Sequence, residues 1–180
     1  NSVNDAPEIG EIGSQEINED ESLTIALNII DVDGEELSVT AESDNENVQI
    51  ALDGNDLIIS PSENYFGSAQ IMVTAGDGEL SDSETFEVTV HSVNDAPVLS
   101  EIGDQETDED TELSIELLAS DVEGDDLNYS AVSDNENVSV SVVNDTLTLT
   151  PAENFNGLAN ITVSVSDVDL TDSETFVFTV

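Results

Sequence analysis

Ser22-Leu23-Thr24-Ile25-Ala26-Leu27-Asn28-Ile29 carries apolar residues at every second position. That period is the mark of a β-strand with one buried face. Ninety residues on, Leu113-Ser114-Ile115-Glu116-Leu117 repeats the pattern, and Ser92-Val93-Asn94-Asp95-Ala96-Pro97 repeats Ser2 to Pro7 letter for letter. The same offset runs without a gap to the end, with about half of the paired residues identical. The 180 residues are therefore two copies of one unit, and we expect two domains, 1–91 and 92–180.

Working outward, each copy reads as seven short strands. In the first, Ile9 to Ile17 is an edge segment A and Ser22 to Ile29 is strand B. Leu37 and Val39 mark C, Val48 and Ile50 mark D, and Leu57 and Ile59 mark E. Ile71 and Val73 mark F, and Phe86, Val88 and Val90 mark G. Between them stand turns rich in Asp, Asn and Gly, such as Asp31-Val32-Asp33-Gly34 and Gly76-Asp77-Gly78-Glu79. Short strands punctuated by turns every 8 to 12 residues or so predict an all-β sandwich. Tyr65 and Phe155, at matching positions beside Gly67 and Gly157, are expected as core plugs at a corner of each sandwich.

Composition narrows function sharply. The chain has 43 Asp and Glu, no Lys or Arg, one His and no Cys, for a formal charge of -43. Nucleic acid and anionic membrane surfaces are excluded as direct electrostatic partners, because phosphate binding needs basic side chains. Disulfides are impossible, and only cations from solution can offset the repulsion. Disorder is opposed by the 37% of hydrophobic residues in alternating runs. No apolar run approaches the roughly 20 residues of a membrane-spanning helix, so no membrane insertion is expected. No basic-then-apolar leader opens the chain, which reads as a monomeric fragment of something longer.

If each strand crosses its sandwich once, successive turns alternate between two poles. The A–B turn with Glu19, the C–D turn and the E–F turn with Glu63 fall at the downstream pole. The B–C turn with Asp31 and Asp33 and the F–G turn with Asp77 fall at the upstream pole. Glu19 and Glu63 are then expected to face Asp121, Glu123 and Asp167 of the second copy across a tether carrying Asn94 and Asp95. Ca²⁺ takes 6 to 8 oxygens from carboxylates, amides and backbone carbonyls in flexible geometry, which is the inventory gathered there. Zinc or copper would prefer Cys or His. The twelve-residue spacing and flanking helices of an EF-hand are missing.

Four ordered motifs resemble the cadherin-like repeats, particularly those of bacterial surface adhesins. Ile17-Asn18-Glu19-Asp20 and Thr107-Asp108-Glu109-Asp110 resemble the early Glu motif. Asp31-Val32-Asp33-Gly34 and Asp121-Val122-Glu123-Gly124 resemble the Asp-x-Asp element. Asp77-Gly78 and Asp167 resemble the Asp before strand G, and Val93-Asn94-Asp95-Ala96-Pro97 resembles the Asn-Asp linker. The resemblance implies two tandem seven-stranded Greek-key sandwiches of Ig or cadherin type, with Ca²⁺ between successive repeats. It implies Glu19, Asp95, Asp121, Glu123 and Asp167 as ligands, with Asn94 through an oxygen. Asn4 and Asp5, with Asp31, Asp33 and Asp77, would form the equivalent half-site of the first copy. Ala96 replaces the second linker Asn of vertebrate cadherins, and Ser62-Glu63-Asn64 replaces their Asp-Arg-Glu. Fewer ions per junction than in those proteins are expected. Val168 stands where the first copy has Gly78, so the second F–G turn is expected to differ.

The function expected is that of calcium-stiffened extender repeats in a large secreted or surface-anchored bacterial adhesin. Its partners would be neighbouring repeats, with any polysaccharide or surface ligand reached through other domains. The alternative is a carbohydrate-binding or homophilic adhesion module with structural calcium. No enzyme is expected: the single His91 sits in a linker, and there is no Cys nucleophile and no Lys or Arg to hold an anion.

Overall fold

The computed structural model describes residues 3–34 and 36–180; Asn1, Ser2 (the first residue of the repeated linker motif) and Glu35 lie outside the described residues. The chain divides into two units, Asn1–Val93 and Asn94–Val180. Among the described residues each unit is built from strands alone.

In the first unit the strands are β1 (Glu8–Ile9), β2 (Gln15–Asn18), β3 (Leu23–Ala26), β4 (Ile29–Ile30), β5 (Ser38–Ser43), β6 (Val48–Asp53), β7 (Asp56–Pro61), β8 (Gly67–Gly76) and β9 (Ser81–His91). One sheet runs β2-β9-β8-β5 and the other β3-β7-β6, with β1 paired to β4 at the margin. All pairings are antiparallel except β2 on β9, where Ile17 lies beside Val90. This is the expected Greek-key sandwich. Leu57, Ile59, Ile71, Val73 and Val88 point between the sheets and are wholly buried, so the period-two pattern did mark the inner face.

The second unit repeats the plan with β10 (Val98–Leu99), β11 (Gln105–Glu106), β12 (Leu113–Glu116), β13 (Ala119–Ser120), β14 (Asn128–Ser133), β15 (Val138–Val143), β16 (Thr146–Pro151), β17 (Leu158–Ser166) and β18 (Thr171–Thr179). Its sheets are β11-β18-β17-β14 and β12-β16-β15, with β10 paired to β13. Its core gathers Leu147, Leu149, Ile161, Val163, Val165 and Phe178.

Strands A and B each come in two pieces, which corrects the continuous segments Ile9–Ile17 and Ser22–Ile29. Strand A starts antiparallel to one layer as β1 and ends parallel to β9 in the other as β2. Crossing between layers takes its backbone out of both ladders, and the freed amides need other acceptors. Carboxylates of β9 supply them: Ile9 N donates to Asp82 Oδ2 at 2.9 Å and Ile12 N to Glu84 Oε1 at 3.4 Å. In the second unit Leu99 N donates to Asp172 Oδ2 at 2.8 Å and Ile102 N to Glu174 Oε2 at 2.7 Å. The crossing does not demand glycine: Gly10 N donates to Asn28 O and its counterpart Ser100 N to Leu118 O, both at 2.8 Å. Strand B is interrupted after Ala26: Leu27 N makes the last bond in register with β7, to Asn55 O at 2.8 Å, and the chain then pairs with β1 as β4.

Tyr65 and Phe155 pack against the two cores as expected. Tyr65 also holds the C–D turn, accepting from Asn45 Nδ2.

Candidate metal centre

Within each unit the turns sort to two poles as strand counting predicts. At the downstream pole of the first, Asn64 N of the E–F turn donates to Asp20 Oδ1 of the A–B turn at 3.4 Å, and Ser62 N to Asn47 O of the C–D turn at 2.8 Å. Asn154 and Asp110 make the same link in the second unit at 2.8 Å. Asp20 and Asp110 reach these positions with φ of 62° and 61°, a left-handed geometry that Asp tolerates.

The upstream pole collects the acids. In the second unit Asp167 Oδ1 accepts from Asp169 N at 2.8 Å and Leu170 N at 2.7 Å, closing the F–G turn. Its Oδ2 accepts Asn94 Nδ2 at 3.0 Å. The Leu170 amide foremost, then Asn94 and Asp169, hold the Asp167 carboxyl below the usual aspartate range against the effect of its burial. Asp95 N donates to Glu123 Oε2 at 3.2 Å, and Asp125 N to Asp121 Oδ1 at 3.0 Å. Backbone donors thus orient one oxygen of Glu123 and one of Asp121.

The remaining oxygens have no such partner. Asp95 Oδ2, Asp121 Oδ2 and Glu123 Oε1 are buried without a hydrogen bond. Asp121, Glu123 and Asp125 bring carboxylate oxygens within 4.8 Å of one another. Loss of water first, then the like charges of Asp121, Asp167, Glu123 and Asp126, push the Asp125 carboxyl up. Buried anionic oxygens without donors are costly unless a cation meets them. Hard oxygen donors of this number and flexibility fit Ca²⁺ better than Mg²⁺, which wants strict octahedral order and keeps its water.

The first unit has the same construction. Asp77 Oδ1 accepts from Glu79 N and Leu80 N at 2.7 Å each, and its Oδ2 accepts Asn4 Nδ2 at 3.0 Å. The Leu80 amide, then that of Glu79, lower the Asp77 carboxyl. Asp31 Oδ1 takes Asp33 N at 2.8 Å and Gly34 N at 3.1 Å, while its Oδ2 is buried and unpartnered. Asp5 N donates to Asp33 Oδ2 at 2.9 Å, the counterpart of Asp95 on Glu123.

At the downstream pole of the first unit, Glu19 is buried, its Oε1 accepting Val93 N at 2.6 Å and its Oε2 left without a partner. Glu63 lies exposed on the E–F turn of that pole. Asp125 was missed by sequence reasoning. Its signal was present as every-second-residue spacing in Asp121-x-Glu123-x-Asp125, which matches Asp31-x-Asp33-x-Glu35.

The second F–G turn does not differ from the first, contrary to expectation. Val168 holds φ of 101° where Gly78 holds 100°. The Asp167 oxygen that accepts two amides fixes the turn in either case.

Residues 3–91 match the family model described as "Cadherin-like domain", and residues 94–179 the one described as "Bacterial Ig domain". No curated protein matches the chain. Among solved structures, Drosophila N-cadherin EC1-4 is similar at TM-score 0.59 and 16% identity over 98% of this chain and 49% of that one. Human mucin-like protocadherin EC1-2 is similar at TM-score 0.58 and 20% identity over 96% of this chain and 97% of that one. The chain spans 28% of an endo-fucoidan hydrolase of glycoside hydrolase family 107, a likeness whose TM-score of 0.46 carries no functional argument. The cadherin likenesses establish the fold.

Proposed function

From a chain that is a cadherin-like domain followed by a bacterial Ig domain, we propose calcium-binding extender repeats of an extracellular, secreted or surface-anchored bacterial adhesin. The observation that carries this reading is the set of buried, donorless oxygens on Asp95, Asp121 and Glu123. Those residues, with Asp125 and with Asp167 and Asn94 holding the turn and the tether, would bind Ca²⁺ at the head of the second repeat. Asp31, Asp33, Asp77, Asn4 and Asp5 would form the corresponding half-site of the first, with full affinity at the central linker alone.

Taking the repeats as 1–91 and 92–180, Glu19 and Glu63 are proposed to complete the central site from the preceding repeat. This part rests on motif order and ligand chemistry. The ion supplies positive charge that the chain itself lacks, and its partners are neighbouring repeats. The reading is non-enzymatic, as the family descriptions support. Among the described residues no helix is long and apolar enough to cross a membrane.

Small-angle scattering tests the extender role. With millimolar Ca²⁺ the maximum dimension should exceed that with chelator; equal dimensions would remove the extender role while leaving calcium binding open to titration.

A groove of about 580 Å³ in the second unit keeps the carbohydrate reading alive. Asn128, Asn144 and Asp145 line it with the partly buried Leu127 and Tyr129, a mostly polar surface of the kind that hydrogen-bonds sugar hydroxyls. Binding on a glycan array that is lost in Tyr129→Ala would establish this second role.

A further inference from the structure

Four carboxylates stand where strand alternation calls for apolar side chains. Along β9 the inward residues run Asp82, Glu84, Phe86, Val88 and Val90, and along β18 they run Asp172, Glu174, Phe176 and Phe178. An inward carboxylate sheds water and needs donors in return. Strand A supplies them: Asp82 and Glu84 take the amides of Ile9 and Ile12, while Asp172 takes that of Leu99 and Glu174 those of Ile102 and Gly103. One further bond runs the other way in the second unit, with Val177 N of strand G donating to Asp104 Oδ1 at 2.8 Å.

Strand A is the first of each unit and strand G the last. Where they pair, β2 with β9 and β11 with β18, they are parallel. Tension that enters ahead of strand A and leaves after strand G therefore draws the two strands in opposite directions along their own length. Bonds across such a contact are strained together, whereas those of a hairpin opened from its end give way one at a time. In the first unit the ladder covers only Gln15 to Asn18 beside Val88 to His91. Upstream of Gln15, strand A has crossed to the other layer, and the carboxylates are what still tie it to strand G. Bonds to an ionised acceptor are the stronger kind, and a chain without Lys or Arg has backbone amides to offer as their donors.

We infer that Asp82 and Glu84 in the first unit, and Asp104, Asp172 and Glu174 in the second, bear load. They carry the contact of strands A and G across the layer crossing, and so slow the unfolding of each unit when it is pulled through its ends. The inference rests on the extender reading for its use, because an extender works under tension.

Single-molecule measurements on the full chain, held by its two ends at constant force in millimolar Ca²⁺, test it. The wild type should unfold in two steps, one for each unit. Glu174→Ala should make one of those steps faster by about tenfold or more and leave the other as it was. Asp104→Ala removes an exposed acid that takes no part in the core, and it should hasten the same step severalfold. Asp134→Ala is the matched control, since it also loses two amide donors, Asn160 N and Nδ2, but on strand F rather than between strands A and G. It should lower the midpoint of chemical denaturation and yet leave both steps within about twofold of the wild type. Glu174→Ala and Asp104→Ala chains that both unfold under force like the wild type would overturn the inference. So would Asp134→Ala hastening a step as much as Glu174→Ala does. Rates under force are read independently of solution dimensions, so this inference and the extender role fail separately.

Discussion

Val168 holds the backbone of Gly78: φ is 101° at one and 100° at the other, in F–G turns closed by the same two-amide grip of an Asp carboxylate. A β-branched residue rarely adopts such a conformation, and it costs on the order of 1–3 kcal/mol. The valine side chain is 81% exposed and recovers little through packing. Val168→Gly should therefore stabilise the second unit by about 1 kcal/mol, after allowance for the greater freedom of glycine in the unfolded chain. Chemical denaturation would check it; an unchanged or lower midpoint would mean that the turn is not strained.

Gly67 and Gly157 make a matched pair of the opposite kind. A Cβ on Gly67 would lie 2.7 Å from the Tyr65 hydroxyl, and φ there is +148°; on Gly157 it would lie 2.9 Å from Phe155 Cζ, without the φ constraint. Gly67→Ala should cost about 2–3 kcal/mol and Gly157→Ala about 1–2, the first paying for conformation as well as collision. Equal costs would show that the rings yield and the backbone does not matter.

Asp121→Asn and Glu123→Gln should act with opposite signs in the two metal states. Each removes a charge beside unpartnered carboxylate oxygens, so the chain in chelator should melt higher than the wild type. Each also removes the charge of a proposed calcium ligand, and affinity should fall about tenfold or more, the factor that corresponds to 1.4 kcal/mol. Titration calorimetry and thermal melts together read both. Asp134→Asn, remote from this pole, should leave calcium affinity unchanged.

Asp134 itself reports on acid. Asn160 Nδ2 at 2.6 Å, and then Asn160 N at 2.8 Å, hold its carboxyl below the ordinary value of 3.8. A depressed folded value stabilises above 3.8, and that contribution fades as pH falls through the folded value. The wild type should thus melt above Asp134→Asn at pH near neutrality, the gap closing only below 3.8. A gap already closed above that point would contradict the assignment.

Much of this was legible beforehand because two periods dominate the chain. The alternation in Leu23-Thr24-Ile25 and its kin specifies strands whose inner residues are buried, and Asp, Asn and Gly mark the turns. Once strands alternate in direction, the poles follow, and with them the grouping of Asp31, Asp33 and Asp77 or Asp121, Glu123 and Asp167. The breaks in strands A and B were illegible because they come from tertiary events, A crossing between layers and B exchanging β7 for β1 as its partner, that leave local periodicity intact. For the same reason nothing distinguished Asp82, Glu84, Asp172 and Glu174 from solvated acids before their amide partners were seen. They also explain part of the acidity: in a chain without Lys or Arg, backbone N–H groups serve as the positive ends for many carboxylates. Val168 was misjudged because residue preference was weighed alone, whereas the Asp167 carboxylate dictates the turn.

The central claim is that calcium is bound at specific carboxylate sites and does more than screen charge. Calorimetric melts of the whole chain in CaCl₂ and in NaCl at equal ionic strength test it most directly. At a hundred times the dissociation constant one filled site adds about 2.7 kcal/mol, which for a unit of this size raises the melting temperature by about 10 °C or more. Calcium should show that excess over sodium, and Asp121→Asn should lose most of it. Equal melting temperatures in the two salts would contradict the claim.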